Sequence, residues 1–568
     1  MHWMKPNKRR LILRIVFPGL CFSGLIAAGR PGAPAGQGGA SIESLVDFQS
    51  SNLPIMMIDT RGQTIQTSRK IAADMGIVDN GRGNRNSVTD AWNGYNGVIG
   101  IEIRGSSASA FPKQPYGFET RDSTGANRNV SLLGMPGEND WVLYSPFSDK
   151  TLMRNVLAFK MSNDVGRYAS RTRLIELVLN GEYRGIYVLM EKIKQDRNRV
   201  NISKLDSTDR EGDAVTGGYI IKIDKTTGEN VGGWSSSHKV HYQYHDPKPD
   251  RITEEQKTYI KSAVESFEAA LEVPDGTDDG NGYRKVLSLD SFVDNVILSE
   301  VNRNVDAYRL SMFLYKDRDS KGGKFHAGPL WDCDLAFGNA YYHEAWKTEG
   351  WNLDALVASF EGSGVPYWWM KLRRDPTFLS RLRERWNEFK KDALNPDSLV
   401  AFIDATADTL GEAQERNFRL YPILGSYIWP NSFWPPTFDE EVEFLKEWLQ
   451  NRIAWLDGEF SGIHSDVSDR AVFGIPGTCR LEQNYPNPFN SRTVIGVELE
   501  SGSDVRVSLF DLRGRRVRTL FDGFQRAGRC LLVWDGRDES GRIVPSGVYT
   551  LRLETAALSV TRKIAFVQ

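Results

Sequence analysis

Residues 328–339 read GPLWDCDLAFGN. Two acids, Asp332 and Asp334, flank Cys333 between a tryptophan and a Phe-Gly pair. A carboxylate is costly to bury beside aromatics unless something compensates its charge. On a strand, alternate side chains share a face, so both acids would point one way and Cys333 the other. Two carboxylates on one face suit a hard cation such as Mg2+ or Mn2+. Taken alone, so short a motif fits an exposed or arginine-paired couple better.

The flanking sequence changes that balance. LDSFVDNVILSEV, residues 289–301, has helical periodicity. NRNVDAYRLSMFLYKD follows and places Asp306 just beyond the helix. RLSMFLYKD and KFHAGPLWD then read as paired strands leading to Asp332. An acid in a loop, a hairpin, and an acid close before Phe-Gly is the layout of phosphoryl transfer in protein kinases. There one carboxylate meets the acceptor hydroxyl and another holds the metal. IRGSSASAFPK, residues 103–113, adds Arg104 at a strand end, a run of small residues and Lys113. This suits a backbone approaching phosphate, but it is neither GxGxxG nor a Walker A loop; alone it fits a strand-to-loop turn with a surface lysine better.

The chain has 568 residues, a formal net charge of −2 and four cysteines. That length predicts more than one domain. The near-neutral charge offers no reason to expect nucleic acid or an acidic membrane as partner. Lys5, Lys8, Arg9 and Arg10 precede an apolar run, and small residues follow through Ala40: a secretory signal peptide with a small-residue linker over 1–40. Arg14 and Pro18 interrupt the run, which argues against a lasting membrane span. Cys21 leaves with this leader. A disulfide between Cys479 and Cys530 suits an exported protein.

Residues 41–464 read as one α+β body, sheet-rich first and helix-rich later. LPIMMIDT and VIGIEIRG are strand-like runs. RLIELVLNGEYRGIYVLMEKI is a hairpin turning at Asn180-Gly181. TEEQKTYIKSAVESFEAALE begins the helical part. SGIHSDVSDR marks a polar linker, taken as 465–476. From 477 to 568 short strands alternate with Gly and Asp turns, which predicts a small β-sandwich, with Phe510, Trp534 and Tyr549 in its core.

Residues from about 48 to 460 resemble the spore-coat-protein-H (CotH) kinase family. The matching stretches are LPIMMIDT, IEIRGSSASAFPKQPYGFE, WVLYSPFSDKTLMRN, ELVLNGEYRGIYVLMEKI, GGYIIKID, NVDAYRLSMFLYKD and GPLWDCDLAFGN, in that order. The resemblance implies an atypical protein-kinase-like fold and transfer of phosphate from ATP, with Mg2+ or Mn2+, to protein serine. It makes Asp306 the catalytic aspartate, Asp332 a metal ligand and Asp334 a second ligand or a structural acid. Arg104 and Lys113 would contact phosphates, Glu191 would pair with Lys113, and Trp331 would line the nucleotide pocket or fill the core. Ser311 stands where many members carry asparagine. Lys222 stands where GGYxxExD has an acid, and takes no catalytic role.

LEQNYPNPFNSRTVIGVEL, VRVSLFDLRGRRVRTL and WDGRDESGRIVPSGVYTLRL resemble the Ig-like C-terminal sorting domain of bacterial type IX secretion cargo. They are also close to the Ig-like domain of hook-capping proteins. This resemblance implies an exported or surface-attached bacterial protein whose last domain meets the export machinery. His241 and His245 share a strand face without a third ligand and are expected to be solvent-facing or hydrogen-bonded. His326 lies on the Asp332 side of its strand. The aromatic runs GYIWPNSFWPP and VPYWWMKL are expected to pack the helical lobe.

Overall fold

Alternation of buried and half-buried residues through IAADMGIV and the near-continuous burial of EYRGIYVLME mark strands of a sheet with one closed interior. The computed structural model describes residues 47–67, 69–105, 108–226, 232–272, 282–360, 364–461, 479–481, 484, 487–499, 503–511, 513–526, 528–555 and 559–567. The expected signal peptide, with Cys21, and the 465–476 linker lie outside the described residues.

The first strands are β1 (Ile55–Asp59), β2 (Ile71–Val78), β3 (Tyr95–Ile103), β4 (Tyr116–Arg121), β5 (Asp140–Tyr144), β6 (Thr172–Leu179) and β7 (Glu182–Glu191). They close into a barrel in the order β1-β2-β3-β4-β5-β7-β6. Neighbours run antiparallel except at the seam, where β1 pairs with β6 in parallel and Ile55 faces Glu176. Met75, Ile99, Trp141, Leu177 and Leu189 fill the interior. At the β6–β7 turn, Asn180 and Gly181 take φ of 54° and 80°, the left-handed values that a two-residue hairpin needs.

Helix α1 (Arg154–Asp164) lies between β5 and β6 in the chain, and its Leu157, Phe159 and Met161 pack in the core shared with a second sheet. That sheet contains β8 (Tyr219–Ile223), β9 (Gly233–Ser235), β10 (His241–Asp246), β11 (Met312–Lys316) and β12 (Phe325–Ala327), in the antiparallel order β9-β10-β8-β11-β12. Helix α2 (Glu254–Ala270) starts with a capping box between Thr253 and Gln256. Helix α3 (Leu289–Asn302) is buried on every side from Ser291 to Asn302. A helix enclosed all round is a central element, and its C-terminus delivers the chain to Asp306. Helices α4 (Asn352–Ser359), α5 (Trp368–Arg374), α6 (Pro376–Phe389), α7 (Pro396–Leu420) and α8 (Phe438–Ser461) complete the lobe. Trp368, Trp369, Trp386 and Leu449 lie in the core they share with α3. Among the described residues no helix is long and apolar enough to cross a membrane.

The C-terminal strands form a sandwich. One sheet orders Cys479–Leu481, Thr493–Leu499 and Gly528–Trp534; the other orders Arg516–Gln525, Ser503–Phe510, Gly547–Thr555 and Ser559–Phe566. Trp534 and Tyr549 sit in its core, with Leu551 and Ile564. Phe510 does not: it is half-buried at the rim under the Arg552 guanidinium, 4.5 Å from the ring centre. The Cys479–Cys530 bridge does not form either. Cys479 faces Leu499 and Cys530 faces Val497, so their strands lie on opposite sides of the same middle strand. Two strand spacings, about 9.6 Å, exceed the Cα separation of about 7 Å that a disulfide tolerates. Cys530 is a free thiol.

Candidate active site

The strand expected to carry Asp332 ends early. β12 stops at Ala327, and residues 328–333 have no regular structure. Alternation along a strand therefore does not orient the acids. A turn does: Asp332 has φ of 61°, a left-handed conformation that a short polar side chain tolerates better than most. Cys333 is buried in the core, and its backbone N–H donates to Asn155 Oδ1 on α1 at 2.8 Å.

The acids line a cleft of about 400 Å3 between the barrel and the helical lobe. Asp306 and Arg104 line it as well, as do Ser311 and Trp331. Arg104 comes from the end of β3, Asp306 from the loop after α3, and Asp332 and Asp334 from the turn after β12. Hydrogen bonds register these loops. Arg303 takes φ of 46° at the end of α3. The Asn304 N–H then donates to Asn302 Oδ1 at 3.0 Å, and the Asp306 N–H to Asn304 Oδ1 at 3.1 Å. Asn304 Nδ2 donates to the Asp332 carbonyl at 2.9 Å. The Phe337 N–H donates to the Asn302 carbonyl at 2.7 Å. One asparagine-rich corner thus holds both acidic segments.

Charges in the cleft are unevenly matched. Asp306 pairs with Arg309, Nη2 to Oδ1, at 2.9 Å. Among the described residues no lysine or arginine ion-pairs with Asp332 or Asp334. The Ser311 hydroxyl donates to Asp332 Oδ2 at a long 3.4 Å. Asp332 opens onto the cleft, yet desolvation by the surrounding protein, then Asp306 and Asp224, push its carboxyl up to about 6, against the pull of Lys225 and Arg104. Burial, then Asp332, Asp149 and Asp306, push Asp334 well above the carboxylate range. Tyr144 is pushed up by burial and by the same acids. This is a concentration of negative charge that Lys225 and Arg104 offset only in part, the environment a hard cation relieves.

No three acid, histidine or cysteine side chains among the described residues stand close enough to hold a metal ion unaided. Mg2+ commonly sits on one or two carboxylates and takes its remaining oxygens from water and phosphate. The donor set fits that mode and not an all-protein cage.

Arg104 lies over the Trp331 ring, 5.5 Å from its centre, and Trp331 stacks on Phe159 of α1 at 6.2 Å. Burial lowers the pKa of the Arg104 guanidinium, opposed by Asp332 and Glu102. Trp331 is half-buried and lines the cleft.

Lys113 and Glu191 are placed elsewhere. Lys113 is buried, donates to Asn417 Oδ1 at 2.8 Å and lies near the Tyr187 and Tyr421 rings. Burial lowers its pKa well below the usual lysine value. Glu191 pairs with Arg171 at 2.9 Å, with Arg199 3.7 Å away. The expected Lys113–Glu191 pair does not form, because each side chain is satisfied by another partner.

The sequence reading passed over Asp224. It follows β8, pairs with Lys222 at 2.8 Å and lines the cleft with it. Its signal was in plain view: Asp224 is the final acid of GGYIIKID. Lys225 and Arg309 are further cleft residues that no motif flagged.

The histidines stay out of the cleft. His245 Nε2 lies 2.8 Å from the Ile193 carbonyl, and burial pushes its pKa down to about 4. His326 stacks on Tyr315 at 4.9 Å and is lowered to about 4 by burial. Of the two aromatic runs, VPYWWMKL packs the lobe as expected. GYIWPNSFWPP does not: Tyr427, Trp429, Phe433 and Trp434 are exposed.

The family model described as CotH kinase protein matches residues 101–456, and one described as FlgD Ig-like domain matches residues 484–558. The basal-body rod modification protein FlgD of Salmonella typhimurium is 41% identical over 94 residues, 16% of this chain and 40% of that protein. FlgD of Salmonella typhi matches to the same extent. The chain thus spans about 40% of the length of these curated relatives. Two solved structures from Porphyromonas gingivalis are similar over short stretches. Dimeric latent PorU has a TM-score of 0.14 at 18% identity, over 16% of this chain and 9% of that one. PorZ, described as a surface component of the type-IX secretion system, has 0.13 at 20% identity, over 19% and 13%. Scores this low carry no argument about fold or function.

Proposed function

Because the chain belongs to the CotH kinase protein family, we propose that it is a phosphotransferase that moves the γ-phosphoryl group of ATP to a serine or threonine hydroxyl of a protein. One observation carries the reading. Asp224, Asp306, Asp332 and Asp334, from three separate loops, converge on a single cleft with Arg104.

Bound ATP with Mg2+ or Mn2+ would supply the transferred group and the cation that screens its charge. Asp332 and Asp334 would hold that cation, since no lysine or arginine among the described residues ion-pairs with either. Asp306 orients the acceptor hydroxyl and takes its proton, while Arg309 fixes the carboxylate that does so. Arg104, poised over Trp331, faces phosphate oxygens. Trp331 and Tyr144 wall the cleft and limit water.

The test is transfer of labelled γ-phosphate from ATP to the protein itself and to a serine-rich peptide mixture, with Mn2+ or Mg2+. Incorporation by the parent that both Asp306→Ala and Asp332→Ala abolish is the expected result. No incorporation by the parent sinks the proposal. A second reading, a CotH-like scaffold or pseudokinase that binds nucleotide without transfer, is favoured by Ser311. Its hydroxyl contacts Asp332 where many CotH-like sequences carry an amide. That reading expects ATP to raise the melting temperature while no label moves.

We also propose that the protein acts outside the cytoplasm. The charged-then-apolar N-terminal stretch supports this, as does an Ig-like module with its own core. The module would engage the export machinery. Cell fractionation with and without residues 477–568 checks it; unchanged surface display would remove the sorting role.

A further inference from the structure

Segments 339–346 and 427–434 border the mouth of the cleft and leave large rings in solvent. Tyr341 is 48% exposed, Trp429 50%, Tyr427 47% and Trp434 44%. So much exposed aromatic surface in one place marks an interaction site. The rings are not carried on a loose loop. The Tyr341 N–H donates to the Pro430 carbonyl at 3.0 Å, and the Ser432 N–H to the Asn339 carbonyl at 2.8 Å. The buried Asn431 amide donates to the Ser148 carbonyl and to Asn339 Oδ1, both at 2.8 Å. Asn339 Nδ2 also donates to the Asp334 carbonyl at 2.8 Å. The platform and the acidic turn therefore share one hydrogen-bonded hub. Tyr342 and Trp429 stack with centres 6.3 Å and planes 14° apart, and both line the cleft that holds Asp306.

We propose that this platform binds a neutral carbohydrate chain and presents a sugar hydroxyl as an acceptor in the cleft. The proposal rests on the phosphotransfer reading and adds a second class of acceptor to it. A pyranose ring has an apolar C–H face and a rim of hydroxyls. It can stack on a fixed indole or phenol ring while its edge hydrogen-bonds to Tyr O–H and Trp N–H groups. One sugar unit thus meets both requirements of this site, an aromatic wall and a hydroxyl for Asp306. A serine side chain brings only the hydroxyl. The Tyr341, Tyr342, Trp429 and Trp434 rings carry no charge, and the charges beside them are paired among themselves, Glu344 with Lys347 at 2.6 Å and Asp306 with Arg309 at 2.9 Å, which favours a neutral partner over an ionic one. Rings held in place lose little freedom when a ligand docks. In the transfer, the sugar oxygen forms a bond to the γ-phosphorus. The bond from that phosphorus to the bridging oxygen breaks, its electron pair leaves with ADP, and the hydroxyl proton passes to Asp306.

Affinity electrophoresis of the full chain in gels containing hydroxyethylcellulose, galactomannan or dextran tests the platform without requiring activity. Retardation by at least one polymer is expected, weakened at least about fivefold by Trp434→Ala and by Trp429→Ala. Trp434 does not line the cleft, so Trp434→Ala should keep the ATP-induced melting shift of the parent. Labelled γ-phosphate should also enter an oligosaccharide of the retarding polymer. No retardation on any polymer, or equal retardation of the tryptophan variants, overturns the platform. Tryptophan-dependent retardation with label entering serine peptides alone overturns the sugar acceptor. Tryptophan-dependent retardation with no label transferred to anything leaves the platform standing and sinks the phosphotransfer reading instead.

Discussion

The side-chain amide of Asn304 donates to the backbone carbonyl of Asp332 at 2.9 Å. This bond joins the loop of the proposed base to the turn of the proposed metal acids. Asn304→Ala should cut phosphate transfer by about tenfold or more by loosening that register. It should also cost about 1–3 kcal/mol of stability by orphaning buried groups. Transfer assays and urea unfolding measure the two effects. Full activity in a destabilised variant would show that the bond is structural alone.

The pH dependence of stability has a definite sign. The Asp332 carboxyl is raised to about 6 in the folded protein, above its unfolded value of about 3.9. The folded state keeps a proton there that the unfolded state gives up. Its contribution is present below the unfolded value and is lost as pH rises through the folded one. Without divalent cations, the parent should lose more melting temperature than Asp332→Asn between about pH 4 and about pH 7. At neutral pH, Mn2+ should raise the melting temperature of the parent and not that of Asp332→Asn. Identical pH curves would show that Asp332 titrates normally.

Arg104 and Lys113 should part company. Arg104→Met should lower kcat/KM for ATP by about a hundredfold, the scale of a lost electrostatic contact to developing charge. Lys113→Met should stay within about threefold. Lys113 is not in the cleft, and its partner Asn417 Oδ1 still accepts from the Ile186 N–H at 3.2 Å. A large loss of ATP affinity in Lys113→Met would mean that the lysine reaches phosphate.

Arg452 and Glu300 form an ion pair at 3.0 Å, with side chains 0% and 1% exposed. Glu300 also accepts from the Tyr308 hydroxyl at 2.8 Å and from the Asn352 N–H. Arg452→Met should cost about 3–5 kcal/mol, because it strands a buried charge in α3. Urea midpoints would show it. A loss under about 1 kcal/mol would mean that water replaces the guanidinium.

Much of the site was legible because its chemistry is local. Asp306, Asp332 and Asp334 could be singled out from acids placed against Phe-Gly and the end of an apolar helix, without knowing how the chain folds. The hairpin at Asn180-Gly181 was equally readable, since left-handed turns accept few residues. What stayed hidden depends on distant partners. Lys113 looked like a phosphate ligand until α7 supplied Asn417. Glu191 could not reveal Arg171 as its partner. Asp224 was passed over, because the missing family acid at Lys222 drew attention from the one still present. Exposed Trp429 and Trp434 look like core residues in sequence, since hydrophobicity does not say which side faces water.

The barrel seam has a practical meaning for dissecting this protein. The matched family region starts at residue 101, yet β1, β2 and most of β3 (Tyr95–Ile103) lie before it, and the parallel pairing of β1 with β6 closes the barrel. A fragment cut at the matched boundary would open the cylinder and bare the flanks of β4 and β6, leaving their outward peptide groups unpaired. Such flanks template association with other chains. A fragment that keeps the barrel closed therefore begins before Ile55, and an aggregated 101–456 fragment without phosphate transfer would report a broken barrel rather than test the proposed activity.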